Sequence, residues 1–136
     1  NHDPDLTGFR ERRGVWFRDG LPAAWPGPLG FDDADGRVVD IAGVRFVGLG
    51  GCVRYRGGPN QWTQREQTRR ARAVVRAAQR RTRHDGRPVD VVLTHAPPRK
   101  LGDRDDAPHH GFECLHGVVT ALRPTFRRRR AQPASR

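Results

Sequence analysis

The chain has 136 residues, enough for one domain, and 26 Lys and Arg against 15 Asp and Glu give it a formal net charge of +11. A hydrophobic content of 35% and a mean hydropathy of -0.82 predict a thin core, and no apolar run is long enough to cross a membrane. Cys52 and Cys114 show no metal or redox spacing, so reduced thiols in a cytoplasmic protein are expected, with a disulfide as the weaker alternative.

The positive charge comes almost entirely from arginine. The arginines are scattered over predicted helix faces and loops and are not interleaved with aromatic residues. Together with abundant Ala, Gly and Pro, this is typical of a GC-rich coding sequence, so a solvated surface is the favoured explanation. A basic field would still favour anionic substrates.

Residues 4–36 contain many glycines and prolines with little periodicity. This pattern predicts a long ordered loop with short helical turns, of the kind that often forms one wall of a substrate cleft. Trp16, Phe17 and Trp25 are hydrophobic anchors in this segment, and for the two tryptophans packing is favoured over ligand binding.

A hairpin is predicted next, with strands at Arg37–Ile41 and Val44–Leu49. Ala42-Gly43 joins them and suits a tight turn. The second strand enters Gly50-Gly51, where the absence of side chains allows a ligand or other chain atoms to approach closely. Arg54 and Tyr55 follow on a predicted loop.

A capping box at Thr63–Glu66 predicts the start of a helix that runs to about Arg83. Its apolar positions fall at helical spacing and form a narrow stripe: Ala71, Val74, Val75 and Ala78. Gly86 and Pro88 end the helix.

The strand Val89–Thr94 leads directly into His95. Its consecutive apolar residues predict burial on both faces of an α/β sheet, and Pro97 with Pro98 must end it. His95 therefore lies at the carboxyl end of an interior strand, where ligands bind in open α/β sheets. The alternative is a histidine that only hydrogen-bonds a loop.

The polar loop 99–110 carries Asp103, Asp105 and Asp106 before His109. Such a cluster can ligate a metal, although a solvated acidic loop is the favoured interpretation. A second helix is predicted at Gly111–Leu122, with His116 in a structural role. Residues 125–136 include four consecutive arginines and are expected to form a disordered tail, whether divergent, out of frame or truncated.

Two separated motifs carry a family resemblance. Asn1-His2-Asp3 and Thr94-His95-Ala96-Pro97-Pro98 resemble the calcineurin-like metallophosphoesterase superfamily, which has a Gly-Asn-His-Asp/Glu turn and a later strand ending in a metal-binding His. The resemblance extends up to Pro124. Further matching segments keep the family's order: Gly48-Leu49-Gly50-Gly51, Arg54-Tyr55, Pro59-Asn60-Gln61, Gly102-Asp103 and His109-His110-Gly111-Phe112.

The resemblance implies that residues 1–124 are the C-terminal portion of an α/β domain, part of a four-layer αββα sandwich that is incomplete at both ends. The family also uses an early Asp-x-His, a Gly-Asp-x-x-Asp and a late Gly-His-x-His. This chain opens within the Asn-His-Asp turn and ends before the last motif. Because it also contains no Met, it is expected to be a fragment.

The resemblance implies a site with two divalent metal ions, Mn, Fe or Zn, that hold a bridging hydroxide. Asn1 and His95 would be metal ligands, and His2 would stabilise or protonate the leaving oxygen while Asp3 orients it. The segment resembling the active-site edge and the later cleft histidine imply substrate contacts by Arg54, Tyr55 and His109. For Arg54 and Tyr55 a surface arginine and a half-buried tyrosine are equally consistent with the sequence.

Two functions remain open. The first is hydrolysis of phosphodiesters or small phosphate esters, with this chain inactive alone because most metal ligands are missing. The second is a non-catalytic basic protein that binds nucleic acid or another polyanion through its Arg-rich tail and helix. The sequence does not determine the oligomeric state.

Overall fold

The computed structural model describes residues 9–12, 15–24, 33–124 and 126–129, and for 9–12, 15–16 and 126–129 it describes the backbone alone. Asn1, His2, Asp3 and Trp25 lie outside this range. The described chain has mixed α/β structure, with small sheets and two α helices. Residues 2–33 belong to one compact unit and residues 34–136 to another.

The first unit contains an antiparallel sheet where a loop was expected. Its strands are β1 (Phe9–Arg12), β2 (Val15–Arg18) and β3 (Leu21–Pro22), in that order across the sheet. Asp19 and Gly20 connect β2 to β3 with φ angles of 51° and 86°. An Asp-Gly pair in this left-handed region closes tight hairpins because its backbone twist matches that of the strands. For residues 9–12 and 15–22 the prediction of a long loop was therefore wrong.

The second unit begins with the predicted hairpin, which is confirmed. Strands β4 (Val38–Ile41) and β5 (Val44–Leu49) pair antiparallel in register across their turn. Ala42 and Gly43 form that turn with φ angles of 48° and 79°. Both values are positive, as a two-residue hairpin requires.

A short parallel pair follows β5. Strand β6 (Cys52–Val53) pairs with β7 (Gln61–Trp62), and residues 54–60 form the connection. The chain therefore leaves the main sheet at Gly50-Gly51 and returns to its helical layer only after Trp62. Cys52 and Cys114 do not form a disulfide.

Helix α1 (Gln64–Asp85) confirms the predicted capping box. The Thr63 hydroxyl accepts a hydrogen bond from the Glu66 amide at 3.1 Å, and the Glu66 carboxylate accepts one from the Thr63 amide at 2.8 Å. At the other end Gly86 is left-handed, with φ 72°, and its amide donates to a carbonyl in the last turn. Both ends of this 22-residue helix are thus satisfied by local sequence.

Replacing Thr63 with alanine is expected to lower the free energy of unfolding by about 1 kcal/mol, because the first-turn amide of Glu66 loses its acceptor. Urea unfolding followed by circular dichroism measures the change. Thr82→Ala is the matched control: it lies within the last turn of α1, so alanine's higher helix propensity should leave stability unchanged or slightly raised. Equal losses in the two variants would contradict the capping role.

Two parallel strands complete the main sheet. Strand β8 (Val91–Thr94) lies between β5 and β9 (Phe126–Arg129), and the spatial order is β4-β5-β8-β9. Helix α2 (Cys114–Leu122) connects β8 to β9. Segment 126–129 was expected to be disordered; it instead pairs with β8 at the side of the sheet away from β5.

Both helices pack on one face of the sheet. The core combines residues from the strands, from α1 and from α2: Val47, Leu49, Val92, Ala71, Val74, Ala78, Leu115, Val118 and Leu122. On β8, Val92 and Thr94 are buried, but Leu93 points to the opposite face and is 38% exposed. The expectation that β8 is buried on both faces was wrong. Among the described residues, no helix combines the length and apolar character needed to cross a membrane.

A buried arginine, Arg45, forms hydrogen bonds at the amino ends of the parallel strands. Arg45 on β5 is 1% exposed, and its guanidinium donates to the carboxylates of Asp40 at 2.8 Å and of Asp85 at 3.0 Å. It also donates to the Arg87 carbonyl at 2.7 Å. Hydrogen bonding to Arg45 lowers the pKa of both carboxyl groups below their usual range. Arg45 thereby joins the hairpin to the end of α1.

Candidate active site

The candidate site lies at the carboxyl edge of β5 and β8. His95 directly follows β8 and is half-buried, which confirms its predicted place at the end of an interior strand. Its amide donates to the Leu49 carbonyl at 3.4 Å. Because Leu49 is the register partner of Thr94, His95 lies beside the Gly50-Gly51 turn.

Gly50 is held by side chains from two other segments. Its amide donates to the Asp35 carboxylate at 2.6 Å, and its carbonyl accepts from the side-chain amide of Gln67 at 3.1 Å. Arg70 joins them, since it donates to Asp35 at 2.6 Å and to the Gly50 carbonyl at 3.3 Å. These bonds fix the turn beside His95 rigidly against α1.

Gly51 confirms the expected close approach. Its φ of +86° favours glycine, and a Cβ atom there would lie 2.5 Å from the Trp62 indole nitrogen. The Arg70 guanidinium lies 4.3 Å from the centroid of the Trp62 ring. The space left by Gly51 is therefore filled from within the protein, by the Trp62 side chain and the Asn60 carbonyl oxygen.

Arg54 and Tyr55 follow β6 and are both engaged within the protein. Arg54 donates to the two carboxylate oxygens of Glu66 at 3.0 and 3.2 Å, which ties it to the capping box of α1. The Tyr55 amide donates to the side-chain oxygen of Gln61 at 3.3 Å. The Arg56 guanidinium lies 5.3 Å from the centroid of the Tyr55 ring. A substrate phosphate would have to compete with Glu66 for Arg54.

The acidic loop after β8 is folded around Arg99. The Asp103 side chain is 4% exposed and accepts hydrogen bonds from Arg99 at 2.6 Å and from the Gly111 amide at 3.0 Å. Hydrogen bonding to Arg99 lowers the pKa of Asp103 to about 2. Asp105 lies 3.4 Å from the same guanidinium. Two of the three aspartates are thus paired with an arginine.

His109 lies on the short 3-10 turn Ala107–His109, next to β6. Its ring contacts the Asp106 carboxylate, and this hydrogen bond lowers the pKa of Asp106. The turn brings His109 near the segment that carries Arg54 and Tyr55. His116 bonds the Arg99 carbonyl through its ring nitrogen at 2.7 Å, in keeping with its expected structural role.

The described residues contain no group of three or more His, Cys, Asp or Glu side chains that fits a metal ion. In the acidic loop Asp103 and Asp105 pair with Arg99, and Asp106 pairs with His109. Of the ligands implied by the resemblance, His95 alone lies in the described range. Asn1, together with the catalytic candidates His2 and Asp3, lies outside it.

Comparison with known proteins adds no relative. No protein-family model, curated protein or solved structure matches this chain.

Two of the residues that shape this edge, Asp35 and Arg70, were not predicted from the sequence. Asp35 and Arg70 are 35 residues apart, and neither belongs to a recognisable motif. Arg70 stands among many arginines, so its contact with Gly50 depends on how α1 packs on the sheet. Only Gly50-Gly51 itself was a local signal.

Proposed function

We propose that this chain carries part of a phosphoester-hydrolysing centre of the calcineurin-like metallophosphoesterase type. The observation that supports this most is the position of His95, at the carboxyl end of an interior parallel strand and beside a glycine turn. Parallel α/β sheets place their ligands at this edge. A neutral imidazole there is a suitable ligand for Mn, Fe or Zn.

The exposed side of the sheet supports the finer fold. Both helices cover one face of the sheet. Leu93 on β8 and Ile41 on β4 point to the opposite face and are 38% and 41% exposed. In the proposed four-layer αββα sandwich a second sheet packs against such a face. The described sheet and its helices would then be two of the four layers.

The residues take the following roles in this proposal. His95 would hold one of two divalent metals through a ring nitrogen, and these metals would supply Lewis-acid activation of water for phosphoester hydrolysis. Asn1 would hold the same metal through its amide oxygen. His2 donates a proton to the leaving oxygen, and Asp3 orients His2. The described residues do not by themselves complete a metal site.

The substrate is a phosphodiester or small phosphate ester. Arg54, Tyr55 and His109 are the proposed contacts for it, since β6 and the Ala107–His109 turn are neighbours. On substrate binding, the Arg54 guanidinium would release the Glu66 carboxylate and donate to a phosphate oxygen instead. Both acceptors are negatively charged. With the ligands present in this sequence alone, the chain is expected to bind metal weakly and to be inactive.

Removing the His95 imidazole tests the proposal. His95→Ala is expected to weaken Mn²⁺ binding to the full chain at least about 10-fold, measured by calorimetry, with an unchanged melting temperature. His84→Ala is the control, because His84 is exposed at the far end of α1. Neither the wild type nor the two variants should hydrolyse bis-p-nitrophenyl phosphate above background.

Equal Mn²⁺ affinity in the wild type and His95→Ala would contradict the proposed ligand. Equal weakening by His95→Ala and His84→Ala would show adventitious binding to histidines and would also count against it.

A further inference from the structure

Helix α1 carries a row of arginines on its outer face. The row, called here the arginine stripe, consists of six exposed residues spaced three or four apart: Arg65, Arg69, Arg72, Arg76, Arg80 and Arg83. This spacing keeps them within a narrow face of the helix. The face lies opposite Ala71, Val74 and Ala78, which are buried against the sheet. The fold therefore fixes the stripe towards solvent.

The charge of the stripe is not neutralised within the described part of the chain. None of its six guanidinium groups has an ion pair or hydrogen bond there, although Arg70 and Arg81 on its flanks pair with Asp35 and Asp40. The acidic residues of α1 are also committed elsewhere: Glu66 binds Arg54 and Asp85 binds Arg45. Six unpaired guanidinium groups thus stand in a line.

The length and regularity of the stripe suit the backbone of a nucleic-acid duplex. From Arg65 to Arg83 the helix rises about 27 Å, the length of roughly eight base pairs. Guanidinium groups bind phosphate oxygens bidentately and stay charged at every physiological pH. A straight row of cations matches a regular row of phosphates better than it matches the irregular carboxylates of a protein surface.

Two other anionic partners fit the surface less well. A membrane-bound helix inserts apolar side chains beside its basic residues. The exposed large hydrophobic residues of the described chain, Leu21, Ile41, Leu93 and Leu101, all lie outside α1. Binding of single strands relies on aromatic stacking platforms, and α1 contains no aromatic residue.

We infer that the arginine stripe of α1 binds the phosphate backbone of double-stranded nucleic acid without sequence preference. The site is on the outer face of the helix and does not depend on the metal ligand proposed at His95. Because each phosphate contact releases condensed cations, the logarithm of the binding constant should fall with the logarithm of salt concentration with a slope of about -5 for six contacts.

The test compares two variants of equal charge. Arg69, Arg72 and Arg76 are changed to glutamine in the stripe variant. Arg56, Arg104 and Arg123 are changed to glutamine in the control variant, since they are exposed and lie outside α1. Both retain the arginine run that begins at Arg127. Glutamine keeps the helix propensity of arginine, and circular dichroism checks the fold.

Binding is measured by fluorescence anisotropy with a labelled DNA duplex of about 20 base pairs, over a range of salt concentrations. The stripe variant is expected to bind at least about 10-fold more weakly, with a slope near -3, whereas the control variant stays close to the wild type. Duplexes of different sequence should bind alike. Vesicles of phosphatidylcholine with phosphatidylglycerol, single-stranded DNA and poly-glutamate should all bind more weakly than the duplex.

Equal weakening of duplex binding by the two variants would overturn the inference, since net charge alone would then explain binding. Stronger binding to the vesicles, the single strand or poly-glutamate than to the duplex would overturn the choice of partner. Absence of duplex binding at low salt would overturn it entirely.

Discussion

Replacing Arg45 with methionine is expected to lower the melting temperature by more than about 10 °C, or to abolish cooperative unfolding. Methionine retains the apolar stem of the arginine side chain but leaves the carboxylates of Asp40 and Asp85 without their shared partner. The Arg87 carbonyl also loses its donor. Removing one member of a buried charged network costs far more stability than replacing the whole network with apolar residues, because the remaining charges stay partly desolvated.

Acidification should reduce the difference between this variant and the wild type. Arg45 lowers the pKa of Asp40 and Asp85 in the folded state, so the stabilisation is complete above the unfolded pKa of about 4 and is lost as the pH falls below it. Thermal melts at a series of pH values measure this. The gap in melting temperature should be constant from pH 8 to about pH 5 and should narrow below about pH 4.

Arg81→Gln is the control for Arg45. Arg81 contacts Asp40 at 2.9 Å, but its side chain is 45% exposed, so its loss should change the melting temperature little. Arg45→Lys should be intermediate, because an ammonium group cannot bind two carboxylates as a planar fork. A melting temperature of Arg45→Met equal to that of the wild type would refute the role of the network.

Gly48→Ala is expected to lower the free energy of unfolding by about 3 kcal/mol. Gly48 is buried in β5, and a Cβ atom would lie 2.1 Å from the Ala34 carbonyl oxygen and 2.6 Å from its carbon. Both atoms belong to the backbone, so no side-chain rotation relieves the contact. The segment at Ala34 must move, and Asp35 would then release the Gly50 amide.

Gly117→Ala provides the same substitution with the opposite expectation. Gly117 lies inside α2, and a Cβ atom there meets nothing within 4 Å. Alanine should stabilise the helix by about 0.5–1 kcal/mol. Urea unfolding of both variants measures the two effects. If Gly48→Ala were as stable as the wild type, the close approach of Ala34 to β5 would be wrong.

Elements encoded by neighbouring residues were predictable. The Ala42-Gly43 hairpin, the Thr63–Glu66 capping box and the termination of β8 before Pro97 all follow from contacts within a few residues. The first sheet was predictable as well, because Asp19-Gly20 is a strong hairpin signal. The glycines and prolines around that pair obscured it and favoured a loop.

Features that depend on distant residues were not predictable. Arg45 alternates with Val47 and Leu49, so its burial was implied, but its partner Asp85 is 40 residues away. The apolar run of β8 suggested burial on both faces. Apolar residues can be buried or exposed, however, so the run does not show which face of the sheet the helices cover. Strand β9 was not predicted because consecutive arginines are unfavourable in an interior strand. In the structure β9 is an edge strand of the described sheet and pairs only with β8.

The two ends of the parallel strands carry different groups of residues. Arg45 and its carboxylates hold the amino ends, while His95 and the Gly50-Gly51 turn occupy the carboxyl ends. The hydrogen bonds of Arg45 do not include His95, so a substitution of the His95 side chain leaves the bonds at the amino ends in place. The candidate site at the carboxyl ends is thus separate from the buried charges at the amino ends, and the arginine stripe on the outer face of α1 is separate from both.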